Sequence, residues 1–453
     1  SHVRWFFDPG CPGPEIPAST LFSCIDQAVH LAHYPLPGPV HLNLPFREQF
    51  LLPKNQKPEE FIHDPDLRNW KAEKKPWISH PLPKISADEK LLENFAKNLP
   101  EQGILSIGRI PPTSISTVKK LANDLAWPVF ADIASGLRLG PEFPNRVTYY
   151  DQLQIDSDFL KSHPPQKVIH LGFAPTSKRW LGEMEQLPAD TLVWIKEGSS
   201  RLDPTNRFRS VFETSVEDFC SEMISKLKKR KKSEWNIHWL DQSNKIEKLM
   251  EQFVTNHPLF SEMKLVRTLT KIIPESHALF LGNSLPVREV DFYGSGNGSE
   301  VKVGLNRGAS GIDGLVASSA GYSKGLNQPL TLLLGDLSLL HDLNSLKLIS
   351  ESPKPIVLIV LNNHGGGIFS FLPVSEHKDI FETYFSTPHS LEFKDAASMF
   401  KLSYFNPESP EEFESIYLKQ ASADKSCIIE VNTLKEDNIR VQKEWTEFLH
   451  QNR

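Results

Sequence analysis

Leu330-Thr331-Leu332-Leu333-Leu334-Gly335-Asp336-Leu337-Ser338 and Ile356-Val357-Leu358-Ile359-Val360-Leu361-Asn362-Asn363-His364-Gly365-Gly366-Gly367 are the two stretches that decide the fold. Each opens as an apolar run of strand length, interrupted in the first only by Thr331, the pattern of a strand buried on both faces of a parallel sheet. Residues 339–349 between them carry the apolar spacing of a helix. Strand, helix and strand then make one parallel crossover, which places Asp336 and Asn363 at neighbouring strand ends about 5 Å apart. Ligands of such sheets gather at that edge, where loops meet helix N-termini. A carboxylate and an amide oxygen are hard donors. They suit Mg2+, which takes one or two carboxylates, a carbonyl, water and phosphate oxygens. The glycines after Asn363 let backbone approach a phosphate closely and offer a carbonyl as a third ligand. Taken singly, Gly-Asp or Asn-Asn-x-Gly-Gly after a strand reads as a turn. Both together, each behind an apolar strand and about 27 positions apart, point to a metal site.

Working outward, residues 278–281 and 427–431 are further apolar strands, so a C-terminal α/β region is expected over 244–453. A second α/β region is expected over 86–235. Its strands are 103–108, 129–132, 168–172 and 191–195, and a helix spans 116–126. Near the start, 16–31 has helical spacing behind Pro17, and 40–45 is a strand closed by Pro45. One helix and one strand cannot bury a core, so 1–50 reads as the end of a domain whose body lies upstream or in another chain. The proline-rich, charged stretch 51–85 reads as a linker. The fold class is α/β: parallel sheets flanked by helices, with a central Rossmann-like domain and a C-terminal diphosphate-binding domain.

The bulk properties narrow the function. The chain has 453 residues, enough for two or three domains. Its net charge of −6 argues against a nucleic-acid partner, which requires a basic face. The basic run at 226–232 reads as a solvated helix end. Cys11, Cys24, Cys220 and Cys427 form no CxxC pair, so neither a zinc site nor a disulfide framework is expected, and a cytoplasmic location is. No apolar run approaches the ~20 residues of a membrane span, and no signal peptide is visible.

Gly-Asp-x, some two dozen residues and then Asn-Asn is the thiamin-diphosphate motif. Longer blocks resemble one family. They are Gly282-Asn283-Ser284-Leu285-Pro286-Val287-Arg288, Asn306-Arg307-Gly308-Ala309-Ser310-Gly311-Ile312-Asp313-Gly314, Gly335-Asp336-Leu337-Ser338 with Asp342-Leu343-Asn344, residues 362–369, and Gly38-Pro39-Val40-His41-Leu42-Asn43-Leu44-Pro45-Phe46-Arg47-Glu48. In this order they resemble the 2-succinyl-5-enolpyruvyl-6-hydroxy-3-cyclohexene-1-carboxylate synthases of menaquinone and phylloquinone biosynthesis, over nearly the whole chain. The resemblance implies a transferase. With thiamin diphosphate and Mg2+ or Mn2+ it would decarboxylate 2-oxoglutarate and add the succinyl-semialdehyde carbanion equivalent to isochorismate, as a homodimer or homotetramer. It implies that Asp336, Asn363 and the Gly365 carbonyl hold the metal, with Gly335, Leu337 and Ser338 beside the cofactor. Ile312 would wedge between the cofactor rings, and Ile368, Phe369 and Leu372 would form apolar wall. Ser284, Arg288, Arg307, Lys178 and Arg179 would meet the substrates. Dicarboxylic substrates need several cations, and arginine grips carboxylates in a two-pronged fork.

The sequence departs from the pattern in places. Leu337 stands where most thiamin enzymes have glycine, and His364 and Gly367 stand where an amide side chain is expected. Enzymes of this class activate the cofactor with a glutamate in an N-terminal pyrimidine-binding domain. Glu15 and Glu48 are the only glutamates among the first 50 residues, and neither has that motif's context. The expectation is therefore a chain truncated relative to the active enzyme, and impaired alone. Two other readings stay open. Another thiamin carboligase or decarboxylase would keep the metal motif but lack the 306–314 block. A non-catalytic cofactor- or dinucleotide-binding homologue is opposed by the lack of a GxGxxG after any strand.

Overall fold

Among the described residues, thirteen strands and the helices between them follow the alternation of apolar runs and amphipathic segments. The computed structural model describes residues 3–11, 13, 16–35, 37–46, 65–81, 87–141, 143–155, 158–197 and 203–452. Glu15 and Glu48 lie outside the described residues, as do 51–64 and 82–85 of the expected linker.

The chain divides into two units. The first comprises residues 1–87 with 197–201 and 213–215. In it β1 (Trp5–Phe7) pairs in parallel with β2 (Val40–Leu42), and the helix Ala18–His33 connects them. Within the stretch expected to be a linker, Pro65–Glu73 is helical, and its Trp70 ring stacks on Phe22 with centroids 4.8 Å apart.

The second unit holds two sheets. In the first, β3 (Gly103–Ile107), β4 (Val129–Ala131), β5 (Lys167–Leu171), β6 (Leu192–Lys196) and β7 (Ser210–Glu213) lie in the order β4-β3-β5-β6-β7. The second sheet contains β8 (Ala278–Leu281), β9 (Val303–Leu305), β10 (Leu330–Gly335), β11 (Ile356–Asn362), β12 (Ser403–Phe405) and β13 (Cys427–Asn432). Its order is β12-β13-β11-β10-β8-β9, and every pair is parallel. The central strands carry the longest apolar runs because helices cover both faces. All seven residues of β11 are buried, as are Leu330 to Leu334 of β10. One core cluster joins the sheets, running from Ile104, Phe130 and Trp180 through Trp239, Leu265 and Val290 to Ile359 and Trp445.

One element differs from its sequence reading. Residues 339–349 are two helices, Asp336–His341 and Leu346–Ser350, separated by a turn at Leu343–Ser345. Asp342 causes the break. Its carboxylate accepts from the Val316 and Ala317 amides at 2.8 and 3.0 Å and from Ser345 Oγ at 2.6 Å. It thereby serves N–H groups that have no partner within the helix Leu315–Leu326 they open. An apolar repeat cannot reveal that a carboxylate within it caps another helix.

Candidate functional site

The ends of β10 and β11 meet as the crossover requires, with Gly335 opposite Leu361 in the ladder. Asp336 opens a helix and is 2 % exposed. Its Oδ1 accepts from the Leu337 amide at 2.6 Å, and its Oδ2 accepts from the Gly365 amide at 2.9 Å. His389 Nε2 lies 3.1 Å from the same Oδ2. Because the Leu391 amide donates to His389 Nδ1 at 3.2 Å, the ring proton sits on Nε2 and is donated to Asp336. Burial is the largest influence on the Asp336 carboxyl and raises its pKa. The Leu337 and Gly365 amides oppose that rise.

The two asparagines of the motif do different work. Asn362 donates to Glu430 Oε1 at 2.6 Å and to the Leu391 carbonyl at 3.0 Å, and its Oδ1 accepts from the His364 amide at 3.1 Å. It ties down the loop. Asn363 donates through Nδ2 to Glu262 Oε1 at 3.0 Å, while its buried Oδ1 has no hydrogen-bond partner among the described residues. Gly365 has φ +144°, and a Cβ there would lie 2.3 Å from the Ser386 carbonyl oxygen, so only glycine brings this backbone up to Asp336. Its own carbonyl accepts from the Gly367 amide at 3.0 Å and keeps a second lone pair. A buried carboxylate strained by desolvation, an unpaired amide oxygen and a carbonyl beside them fit a hard divalent cation.

Beside this loop a cavity of about 340 Å³ opens between the two sheets' loops, lined by Lys178, Arg179, Arg288, Leu285, Ile368 and Leu372 among others. Leu285 connects the cavity to the metal loop, since a Cβ on Gly367 would lie 3.3 Å from its Cδ1 and 2.8 Å from Asn363 Nδ2. Five of the residues expected at the site therefore meet in one cavity. Arg288 donates to the Ser284 carbonyl at 2.5 Å, and its pKa is lowered by burial and then by the Arg307 charge nearby. Arg179 forms an ion pair with Asp151 and lies over the Phe292 ring at 5.2 Å. Lys178 is exposed.

Ile312 is half-buried on the loop after β9, which Asn283 Nδ2 tethers by donating to the Gly311 carbonyl at 2.6 Å. Ser338 is buried, Gly335 and Leu337 are half-buried, and the Phe369 ring packs edge-on to Phe385 at 5.6 Å. Ser284, Ser310 and His364 have positive φ, at 72°, 57° and 59°. Strained non-glycine backbone thus recurs at three loops of the site.

Sequence reasoning missed the acids. Asp151, Glu289 and Asp291 line the cavity, and no motif marks them. Burial raises Glu289 well above the ordinary carboxyl value, with the Glu262 charge second, and Asp291 rises through burial and then Asp132. Both shifts favour the uncharged acid, which lessens their opposition to the arginines. The sign of the pH effect follows. A raised folded pKa contributes stability that is fully present below the ordinary value of 4.5 and is lost as pH rises through the folded value. Glu289→Gln is expected to be more thermostable than the parent at pH 8 and to lose less melting temperature between pH 5 and 8, read by scanning calorimetry without cofactor. Equal slopes would show that Glu289 does not carry the effect.

Parallel sheets joined through one core, with a Gly-Asp and Asn-Asn pair at adjacent strand ends, define a thiamin-diphosphate-dependent enzyme. Residues 63–281 match the family model described as "Middle domain of thiamine pyrophosphate". The fold is shared with benzoylformate decarboxylase from Polynucleobacter necessarius at a TM-score of 0.62 and 14% identity, covering 96% of this chain and 76% of that one. The 2-succinyl-5-enolpyruvyl-6-hydroxy-3-cyclohexene-1-carboxylate synthase of Rubrobacter xylanophilus is 36% identical over 446 residues, 98% of this chain and 76% of its own. That of Chlorobium phaeobacteroides is 35% identical, covering 97% of this chain and 75% of its own. The chain belongs to the 2-succinyl-5-enolpyruvyl-6-hydroxy-3-cyclohexene-1-carboxylate synthase family, as the blocks at 282–288, 306–314 and 335–344 led one to expect. Among the described residues no helix is long and apolar enough to cross a membrane.

Proposed function

We propose that this transferase decarboxylates 2-oxoglutarate and joins the four-carbon remainder to isochorismate, forming 2-succinyl-5-enolpyruvyl-6-hydroxy-3-cyclohexene-1-carboxylate for menaquinone synthesis. The observation that carries this reading is the meeting of Lys178, Arg179, Arg288, Ile368 and Leu372 in one cavity beside the Asp336–Asn363 loop. Thiamin diphosphate, when bound, supplies the electron sink for decarboxylation and carbon–carbon bond formation. Asp336, Asn363 Oδ1 and the Gly365 carbonyl would hold Mg2+ or Mn2+ and so anchor the diphosphate, with Gly335, Leu337 and Ser338 beside it.

The chain's own residues do the rest. Arg288, and Arg307 beside it, receive substrate carboxylates. Arg179 is already oriented by Asp151 and Phe292, and Lys178 adds charge at the mouth. Ser284 offers a hydroxyl from its strained position. Leu285, Ile368, Phe371 and Leu372 exclude water from the reacting carboxylate, which favours its loss. Phe369 would extend that wall, and Ile312 would hold the bent cofactor. Gly308 to Gly311 are exposed on the single chain, which leaves this loop open to a second subunit and supports a homodimer or homotetramer.

The test uses the full-length gene product with thiamin diphosphate and Mg2+. With both substrates, carbon dioxide and a succinylated adduct of isochorismate are expected by mass spectrometry. Decarboxylation that ignores isochorismate would assign another thiamin carboligase. Cofactor binding without turnover of either substrate would assign a non-catalytic homologue.

A further inference from the structure

We propose that Glu262, which lies 101 positions before Asn363, is the positioning residue that turns the Asn363 amide so that its oxygen faces the metal. The inference rests on the reading that Asp336, Asn363 and Gly365 hold a divalent cation. A primary amide can sit in two orientations that differ only in which of its nitrogen and oxygen meets each neighbour. Glu262 removes the choice. Its Oε1 lies 3.0 Å from Asn363 Nδ2, and a carboxylate oxygen can only accept there. The flipped amide would set oxygen against oxygen at a place where Glu262 is 1 % and Asn363 8 % exposed, a repulsive contact in a buried setting.

Glu262 is itself held. Thr433 Oγ1 donates to the same Oε1 at 3.0 Å. The Glu262 amide donates to Asn438 Oδ1 at 3.1 Å, and Asn438 Nδ2 donates to Thr433 Oγ1 at 3.3 Å. Glu262 is also the first residue of the helix Glu262–Ile272, whose start is capped by Ser261. Two groups distant in sequence, Asn363 Nδ2 and Thr433 Oγ1, thus converge on one carboxylate oxygen, and the Asn363 Oδ1 is left buried without a partner among the described residues. Residues that orient a metal ligand without touching the metal govern affinity through it.

The test reads Mn2+ binding to the full-length gene product in the presence of thiamin diphosphate, by loss of the free-ion electron paramagnetic resonance signal. Melting without cofactor is recorded alongside. Glu262→Gln keeps an acceptor oxygen and is expected to bind within about threefold of the parent. Glu262→Met removes it and is expected to weaken Mn2+ binding about 10- to 100-fold. Asn363→Asp sets a second carboxylate against Glu262 and weakens binding. Adding Glu262→Gln to it supplies a donor again and is expected to recover about tenfold, a rescue that a merely structural role would not produce. A folded Glu262→Met variant with parental Mn2+ affinity overturns the proposal. If that variant does not fold, the Asn363 pair decides, and no gain from the second substitution overturns it equally. Asp336→Asn separates the two ideas: parental Mn2+ binding in that variant would sink the metal reading itself.

Discussion

Asp336→Asn is expected to weaken Mg2+-dependent binding of thiamin diphosphate by at least about 100-fold, while the cofactor-free protein melts within a few degrees of the parent. The two halves have different causes. Binding falls because the substitution removes the sole carboxylate of the proposed donor set. Losing an outer partner of a metal ligand already weakens affinity about 10- to 100-fold, and losing the ligand's charge exceeds that. Stability barely moves because two effects oppose each other. Burial raises the Asp336 carboxyl, so an uncharged amide relieves a desolvation penalty. One amide position, however, must face a donor, either the Leu337 or the Gly365 N–H, at a cost of about 1–3 kcal/mol. Isothermal titration with and without Mg2+ reads the first quantity, and calorimetric melting the second. Undiminished Mg2+-dependent binding would remove Asp336 from the metal site.

Arg288→Met is expected to raise the KM for a dicarboxylate substrate by roughly 30-fold or more, with thiamin diphosphate affinity unchanged. Arg288 is half-buried in the cavity, and its guanidinium is aimed by the bond to the Ser284 carbonyl. Removing one partner of a desolvated, hydrogen-bonded charge pair costs about 2–5 kcal/mol, because the other charge is left without its match. Methionine fills similar space and keeps the apolar stem. Arg288→Lys is expected to recover only part of the loss, since an ammonium keeps the charge but not the two-pronged fork. Steady-state kinetics on the full-length gene product, varying each substrate in turn, gives the answer. An unchanged KM for both substrates would place their carboxylates elsewhere.

The long strands were legible because a strand buried on both faces must be largely apolar, and β10, β11 and β13 carry apolar runs broken before their last residue only by Thr331 and Glu430. The short strands β9 and β12 were not. Each has three residues and lies at a sheet edge with half-exposed positions, so neither carries a continuous apolar run. The crossover helix was misread for a related reason. Periodicity reports which face is buried, whereas the break at Asp342 depends on helix-opening amides 25 and 26 positions before it.

The same division runs through the site. By itself the sequence determined the α/β class, the adjacency of Asp336 to the Asn362–Asn363 pair, and the glycine run that follows. These rest on neighbours along a strand or across one crossover, where covalent spacing sets the distance. Tertiary structure alone showed what holds the two asparagines: Asn362 is tied to Glu430, while Asn363 donates to Glu262 and keeps an oxygen without a partner among the described residues. It also placed Glu289, Asp151 and Asp291 in the cavity with the arginines, and Glu262 against Asn363. The physical reason is that a buried carboxyl group takes its partners and its protonation from whatever packs against it. Those neighbours come from helices and loops up to 171 positions away, as with Thr433 on Glu262, so no local pattern of residues can announce them.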